Sequence, residues 1–144
     1  VSEKPTLDQR RARHAWEAVK SFAAAHPKNE EGGKRVRDEK AKKYGTQARK
    51  LPSRIMASGL GQALAFLLAK GDCPELLSSL ADWVLDKRKS ADSRQPAPAP
   101  DQLLVWVVKG SSDDLRLATA EALAYLQWLI RFAEAEGLTD DSRD

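Results

Sequence analysis

Residues 51–70 read LPSRIMASGLGQALAFLLAK, the longest stretch of the chain that combines few charges with a helical pattern. The spacing predicts one continuous helix here, at the centre of a small core. Pro52 suits a first helical turn, where its missing N–H has no intrahelical acceptor to lose. Ser53, Ala57, Gly61, Ala65 and Ala69 recur every fourth residue, a stripe of small side chains against which another backbone can come close. Ile55, Met56, Leu60, Ala63, Leu64, Leu67 and Leu68 fill the adjacent faces. Gly59 and Gly61 each cost roughly 1 kcal/mol relative to alanine in a helix interior, so close packing is the expected reason for both.

Working outward toward the N-terminus, a second helix is expected over about 34–50. Tyr44, Ala48, Leu51 and Ile55 continue one apolar line across Pro52. Lys40, Lys43, Gln47, Lys50 and Arg54 fall three and four residues apart, so four cations share one face if the helical phase survives Pro52. Their mutual repulsion calls for an anion, from a partner or from an acidic neighbour. Before this helix, 28–33 is polar and glycine-containing and reads as a loop. The first helix starts at Thr6, whose side chain can form a capping box with Gln9, and stops at His26-Pro27. Its inner face is assigned to Leu7, Ala12, Ala15, Trp16, Val19, Phe22 and Ala23, and its outer face carries Arg10, Arg13, Glu17 and Lys20.

Toward the C-terminus, Asp72, Pro74 and Glu75 open a helix whose core side is Leu77, Leu80, Ala81 and Val84, with Lys87, Arg88 and Lys89 at its end. Residues 90–100, SADSRQPAPAP, lack a large apolar side chain and read as an extended connector within one domain. The run LLVWVV at 103–108 suits a buried strand or a short buried helix. No pairing strand is evident, so a helix is expected. Ser112 is the expected cap of the last helix, with Asp113 and Asp114 in its first turn, running to about Glu136 before Gly137. That helix is apolar on most sides and is the expected partner of 51–70. The tail over 138–144 is acidic and expected to fray. The whole of 1–144 is thus read as a single-domain, all-α bundle of about six helices.

Charge is unevenly spread. Residues 1–58 hold 15 Lys and Arg against 7 Asp and Glu, a balance of +8, and residues 59–144 hold 9 against 14, a balance of −5. A basic half implies an anionic partner, and an acidic half a protein surface. The single cysteine, Cys73, forms no internal disulfide and fits a reducing cytoplasm. No signal peptide is evident in the polar N-terminal residues, and the apolar run is too interrupted to span a membrane. His14, His26 and Cys73 show no metal-ligand spacing, so neither metal nor cofactor is expected. His14 is the one candidate for acid–base chemistry, which leaves a small RNase as an alternative reading. A helix-turn-helix DNA-binding regulator is another: Ala41, Gly45, Leu51 and Arg54 have its small, turn and apolar spacing. The segment after Arg54 lacks the side chains that read base edges, however, so these cations suit phosphates.

Residues 44–71, YGTQARKLPSRIMASGLGQALAFLLAKG, together with QRRARHAWEAV at 9–19 and ATAEALAYLQWLIRFAEAEG at 118–137, resemble the small subunit of the Cmr complex. That complex is the type III-B CRISPR RNA-guided effector of antiviral defence. The resemblance implies a non-catalytic, all-helical subunit without a cofactor. Copies of it would stack as a minor filament beside the backbone and large subunits, lining the channel for guide RNA and target RNA, with target cleavage left to another subunit. By position, Arg10, Arg13, Lys40, Lys43, Arg49, Lys50 and Arg54 are the RNA-binding candidates.

Overall fold

Gly59 decides the architecture. Its backbone sits at φ 89°, ψ 159°, a combination that is essentially closed to side-chain-bearing residues. The helix expected over 51–70 therefore does not exist as one piece. The computed structural model describes residues 3–86 and 97–139, and in it the chain forms α1 (Leu7–Ala25), β1 (Asn29–Glu31), β2 (Lys34–Val36), α2 (Glu39–Ser58), α3 (Leu60–Lys70), α4 (Pro74–Asp86), α5 (Gln102–Lys109) and α6 (Ser112–Ala135). The expected helical bundle is present, with six helices among the described residues and a small hairpin added. The basic helix end at Lys87, Arg88 and Lys89, most of the 90–100 connector, and 140–144 of the tail lie outside the described residues.

Pro52 lies inside α2, not in a first turn, and the helix continues past it to Ser58. Asp38 caps α2 by accepting from the Ala41 N–H at 2.8 Å, so the helix starts later than 34. What precedes it is a hairpin. Gly32 and Gly33, at φ 58° and 81°, make the two-residue turn that only paired positive φ angles allow. Glu30 faces Arg35 and Glu31 faces Lys34 across it, opposite charges in register. The loop expected over 28–33 is thus half of a hairpin.

The cap reading of α1 holds: the Thr6 side chain accepts from the Gln9 N–H at 3.0 Å, and the Thr6 N–H donates to the Gln9 side chain at 2.7 Å. Of its expected inner face, Ala15, Val19, Phe22 and Ala23 are buried, whereas Leu7 and Trp16 are exposed. The last helix is capped by Ser111, one residue before the expected Ser112, with Asp114 completing the box. LLVWVV is helical, as α5, but only Leu103 is fully buried; Val105 and Val108 face solvent.

The true centre is α6. It packs most broadly on α1 and α2, with α4 and α5 beneath, while α3 packs on α2, α5 and α4. The expected pairing of 51–70 with α6 is therefore carried mainly by the α2 part. Leu60, Leu64 and Leu67 reach the core from α3, and Leu51 and Ile55 from α2, where they meet Leu126, Leu129 and Leu138 in one apolar cluster. Ser53, Ala57, Ala65 and Ala69 are exposed, and Gly59 and Gly61 have no closely packed neighbour, so the small-residue stripe is not a packing groove. Met56, at 75% exposure, and Leu68 also leave the expected core. The close approach occurs at Gly45, and Leu138 and Thr139, expected to fray, are buried there.

Three polar anchors tie the helices together. Arg11 grips the buried Glu121 carboxylate through Nε and, at 3.1 Å, through Nη2, while the Trp83 indole N–H donates to the same carboxylate at 2.8 Å. His14 bridges the Tyr125 hydroxyl, 2.7 Å from Nδ1, and Asp82, 2.5 Å from Nε2. Arg37 donates to the carbonyls of Ala23, His26 and Glu136 and to the Glu136 carboxylate, at 2.8–3.2 Å. It thereby places a cation at the carbonyl ends of α1 and α6, where the helix dipoles favour one.

Candidate functional site

Because α2 runs unbroken from Glu39 to Ser58, the cation spacing read from the sequence becomes a physical row. Lys40, Lys43, Gln47, Lys50 and Arg54 follow one face of α2 over four turns. Lys40 and Lys50 are exposed and form no ion pair among the described residues. Lys43 is exposed as well and lies 3.8 Å from Asp72, a loose surface pair of little energetic weight.

Arg54 is held more firmly. Its Nη1 donates to the Gln47 side-chain oxygen at 2.6 Å, and its guanidinium carbon lies 4.3 Å from the centre of the Phe66 ring. Lys70 approaches the same ring, with Nζ 5.5 Å from its centre. Gln47 is nearly enclosed, at 6% exposure, whereas Phe66 is 45% exposed. Phe66 and Lys70 escaped the sequence reading because a continuous 51–70 helix would carry Phe66 about 18 Å beyond Arg54. The break at Gly59 folds α3 back along α2 and brings them together.

The other candidates lie elsewhere. Arg49, one residue out of phase, turns toward α6, where Nε pairs with Glu134 at 3.1 Å and Nη2 reaches the Thr139 hydroxyl at 3.4 Å. Arg10 and Arg13 stand exposed on the N-terminal half of α1. That helix meets α2 near its other end, where Phe22 stacks on Tyr44 at 4.2 Å. Nine residues of helix, about 13 Å, separate Arg13 from that contact. The structure thus gathers Lys40, Lys43, Lys50 and Arg54 and does not bring Arg10, Arg13 or Arg49 to them.

The helix-turn-helix reading loses its geometry. Ala41, Gly45, Leu51 and Arg54 all lie in one helix, with no turn at Gly45, so no helix-turn-helix forms there. Both ring nitrogens of His14 are engaged by Tyr125 and Asp82, and Trp83 packs 5.5 Å from the ring. Burial holds the Tyr125 phenol well above its ordinary titration range, which suits a neutral hydroxyl bonded to the imidazole. This is a strut joining α1, α4 and α6. The same contact ties Asp82 of α4 into the fold.

Electrostatics elsewhere follow ion pairing. The Lys20 ammonium bonded to Glu136 at 2.8 Å lowers that carboxyl from its ordinary value, with Arg37 adding to the effect. The Trp128 indole N–H and then Arg11 do the same for Asp8. Among the described residues no group of three His, Cys, Asp or Glu side chains is placed to hold a metal, and no helix is long and apolar enough to cross a membrane.

Against known proteins, the family model of CRISPR-associated protein (Cas_Cmr5) matches residues 7–136. The fold is similar to the crystal structure of a CRISPR-associated Cmr5 family protein from Thermus thermophilus, with a TM-score of 0.68 and 26% identity. The match covers 94% of this chain and 100% of that one.

Proposed function

The chain belongs to the CRISPR-associated Cas_Cmr5 family, and from that premise we propose that it is the small subunit of a type III-B Cmr effector complex and contacts RNA through the cationic face of α2. The carrying observation is that face itself. Lys40, Lys43, Lys50 and Arg54 lie along four turns of one helix, and the fold supplies only Asp72, loosely, to balance them among the described residues. Such a row repels itself unless an anion is present, and a phosphodiester backbone presents anions at comparable intervals. Lysine and arginine without base-reading neighbours fit phosphate contacts, so binding is independent of sequence. The subunit works by assembly and positioning, with cleavage of the target belonging to another subunit.

Copies of the chain stack as a filament beside the backbone and large subunits, and the C-terminal, acidic half meets protein. Arg10 and Arg13 form a separate cationic patch on α1, and Arg49 serves the fold by holding Glu134. Replacing Lys40, Lys50 and Arg54 together by glutamate tests the reading. RNA-dependent assembly with the other Cmr subunits is expected to be lost while the melting temperature is kept. Unchanged assembly at the same salt concentration would remove this face from the account.

A further inference from the structure

Phe66 presents a physical puzzle: a large aromatic ring left almost half exposed, with an arginine and a lysine drawn over it. Nearby, Gln47 is almost wholly buried on a face that is otherwise cationic, and its oxygen is used on Arg54 alone among the described residues. Both contacts converge on one guanidinium. Arginine carries five N–H donors in a planar fork, and a long unrestrained side chain loses about 2 kcal/mol of rotamer freedom when it is fixed. Here that freedom is already removed. Gln47 occupies Nη1, Phe66 supports the plane through a cation–π contact, and Nε and Nη2 carry no hydrogen bond among the described residues.

We infer that Gln47 and Phe66 are positioning residues that hold Arg54 ready to take one RNA phosphate through its remaining donors, with Lys50 and Lys70 attracting the adjoining phosphates. The inference rests on the RNA-contacting reading above and adds to it that one cation of the row is built differently from the rest. Lys40 and Lys50 act as mobile point charges, and Arg54 acts as a fixed fork. Asp72 forms its ion pair with Lys43, and none joins it to Arg54 among the described residues. A free phosphate would satisfy the same donors, but the flanking lysines favour a chain of phosphates.

The test is a mutant cycle on the full chain, titrated with labelled single-stranded oligouridine across a range of sodium chloride concentrations. Phe66→Leu, Gln47→Met and Arg54→Lys each keep the charge of the face. Each is expected to weaken binding by about threefold to tenfold, the net worth of one ordinary hydrogen bond, with the salt slope unchanged. Combining Phe66→Leu with Arg54→Lys should weaken binding little further than Arg54→Lys alone, because the ring acts chiefly through the guanidinium, with Lys70 farther from it at 5.5 Å. Lys50→Ala, by contrast, should lower both the affinity and the slope, the latter by about 0.7.

If Phe66→Leu and Gln47→Met leave the affinity unchanged, or if their losses multiply with that of Arg54→Lys, the positioning role is overturned while the lysine result still supports the face. If Lys50→Ala also changes neither affinity nor slope, the RNA-contacting reading itself falls. Phe66 is sufficiently exposed for its leucine variant to keep the fold. It therefore decides the matter even if the buried Gln47 variant does not fold.

Discussion

The Gly45 amide donates to the Leu138 carbonyl oxygen at 2.8 Å, and a Cβ on residue 45 would stand 2.0 Å from that same oxygen. Glycine in the middle of α2 therefore serves as a seat for the chain leaving α6. Gly45→Ala cannot be accommodated by a side-chain rotation, because the obstructing atom is backbone. We expect a loss of about 3 kcal/mol, at the upper end of overpacking, together with release of Leu138 and Thr139 from the core. A lower urea midpoint at an unchanged m-value, with faster amide exchange at Leu138, checks it.

Gly59 and Gly61 should respond in opposite directions. Gly59→Ala forces a Cβ into a backbone region reserved for glycine and is expected to destabilise by about 1–3 kcal/mol. At Gly61 the nearest obstacle to a Cβ is a Val107 methyl group at 3.9 Å, an ordinary contact. Gly61→Ala should thus be neutral or stabilise by up to about 1 kcal/mol. Thermal melts of the two variants side by side separate turn strain from helix propensity.

That pair also shows what the sequence could and could not disclose. Periodicity in 51–70 correctly marked helix, because Leu60, Leu64 and Leu67 do face the core. It could not reveal that Gly59 reverses the chain, since a helical glycine and a turning one look alike to a period of 3.6 residues. The error propagated: α6 took the central place, and Phe66 came to rest on Arg54. The hairpin was more accessible than it looked, because Gly32-Gly33 is a strong two-residue turn signal, but Asn29-Glu30-Glu31 before it and Lys34-Arg35-Val36 after it gave no alternation to support it. The cation row was legible in full, because its phase depends only on α2 continuing past Pro52. Arg37 carried no mark that set it apart from its exposed neighbour Arg35.

Arg37 provides the next test. Its removal leaves the carbonyls of Ala23, His26 and Glu136 without their shared donor at the junction of α1, α6 and the hairpin. Arg37→Ala should destabilise by about 2–4 kcal/mol, the cost of several buried acceptors losing a charged donor. Arg37→Lys should recover only part of this, since one ammonium cannot span the same fork. Chemical denaturation of both variants gives the comparison.

Alkaline pH should weaken the fold through its buried acids. Burial pushes the Cys73 thiol from 9.0 up to about 12, and it raises the Tyr44 and Tyr125 phenols above their ordinary 10.0. Above pH about 9 the unfolded chain gives up the Cys73 proton while the folded chain keeps it. The folded state then binds more protons, so stability declines as pH rises toward about 12. Melting temperature measured from pH 7 upward should fall beyond about 9, and Cys73→Ala should flatten the first part of that fall.

Photo-crosslinking asks whether the α2 face meets RNA inside the assembled effector. A Cmr complex reconstituted with this subunit and with RNA carrying 4-thiouridine is irradiated, digested and mapped by mass spectrometry. Adducts are expected on peptides spanning Lys40 to Arg54, joined by the Phe66 peptide of α3. Adducts confined to α5, α6 or the hairpin, with α2 unmarked, would contradict it.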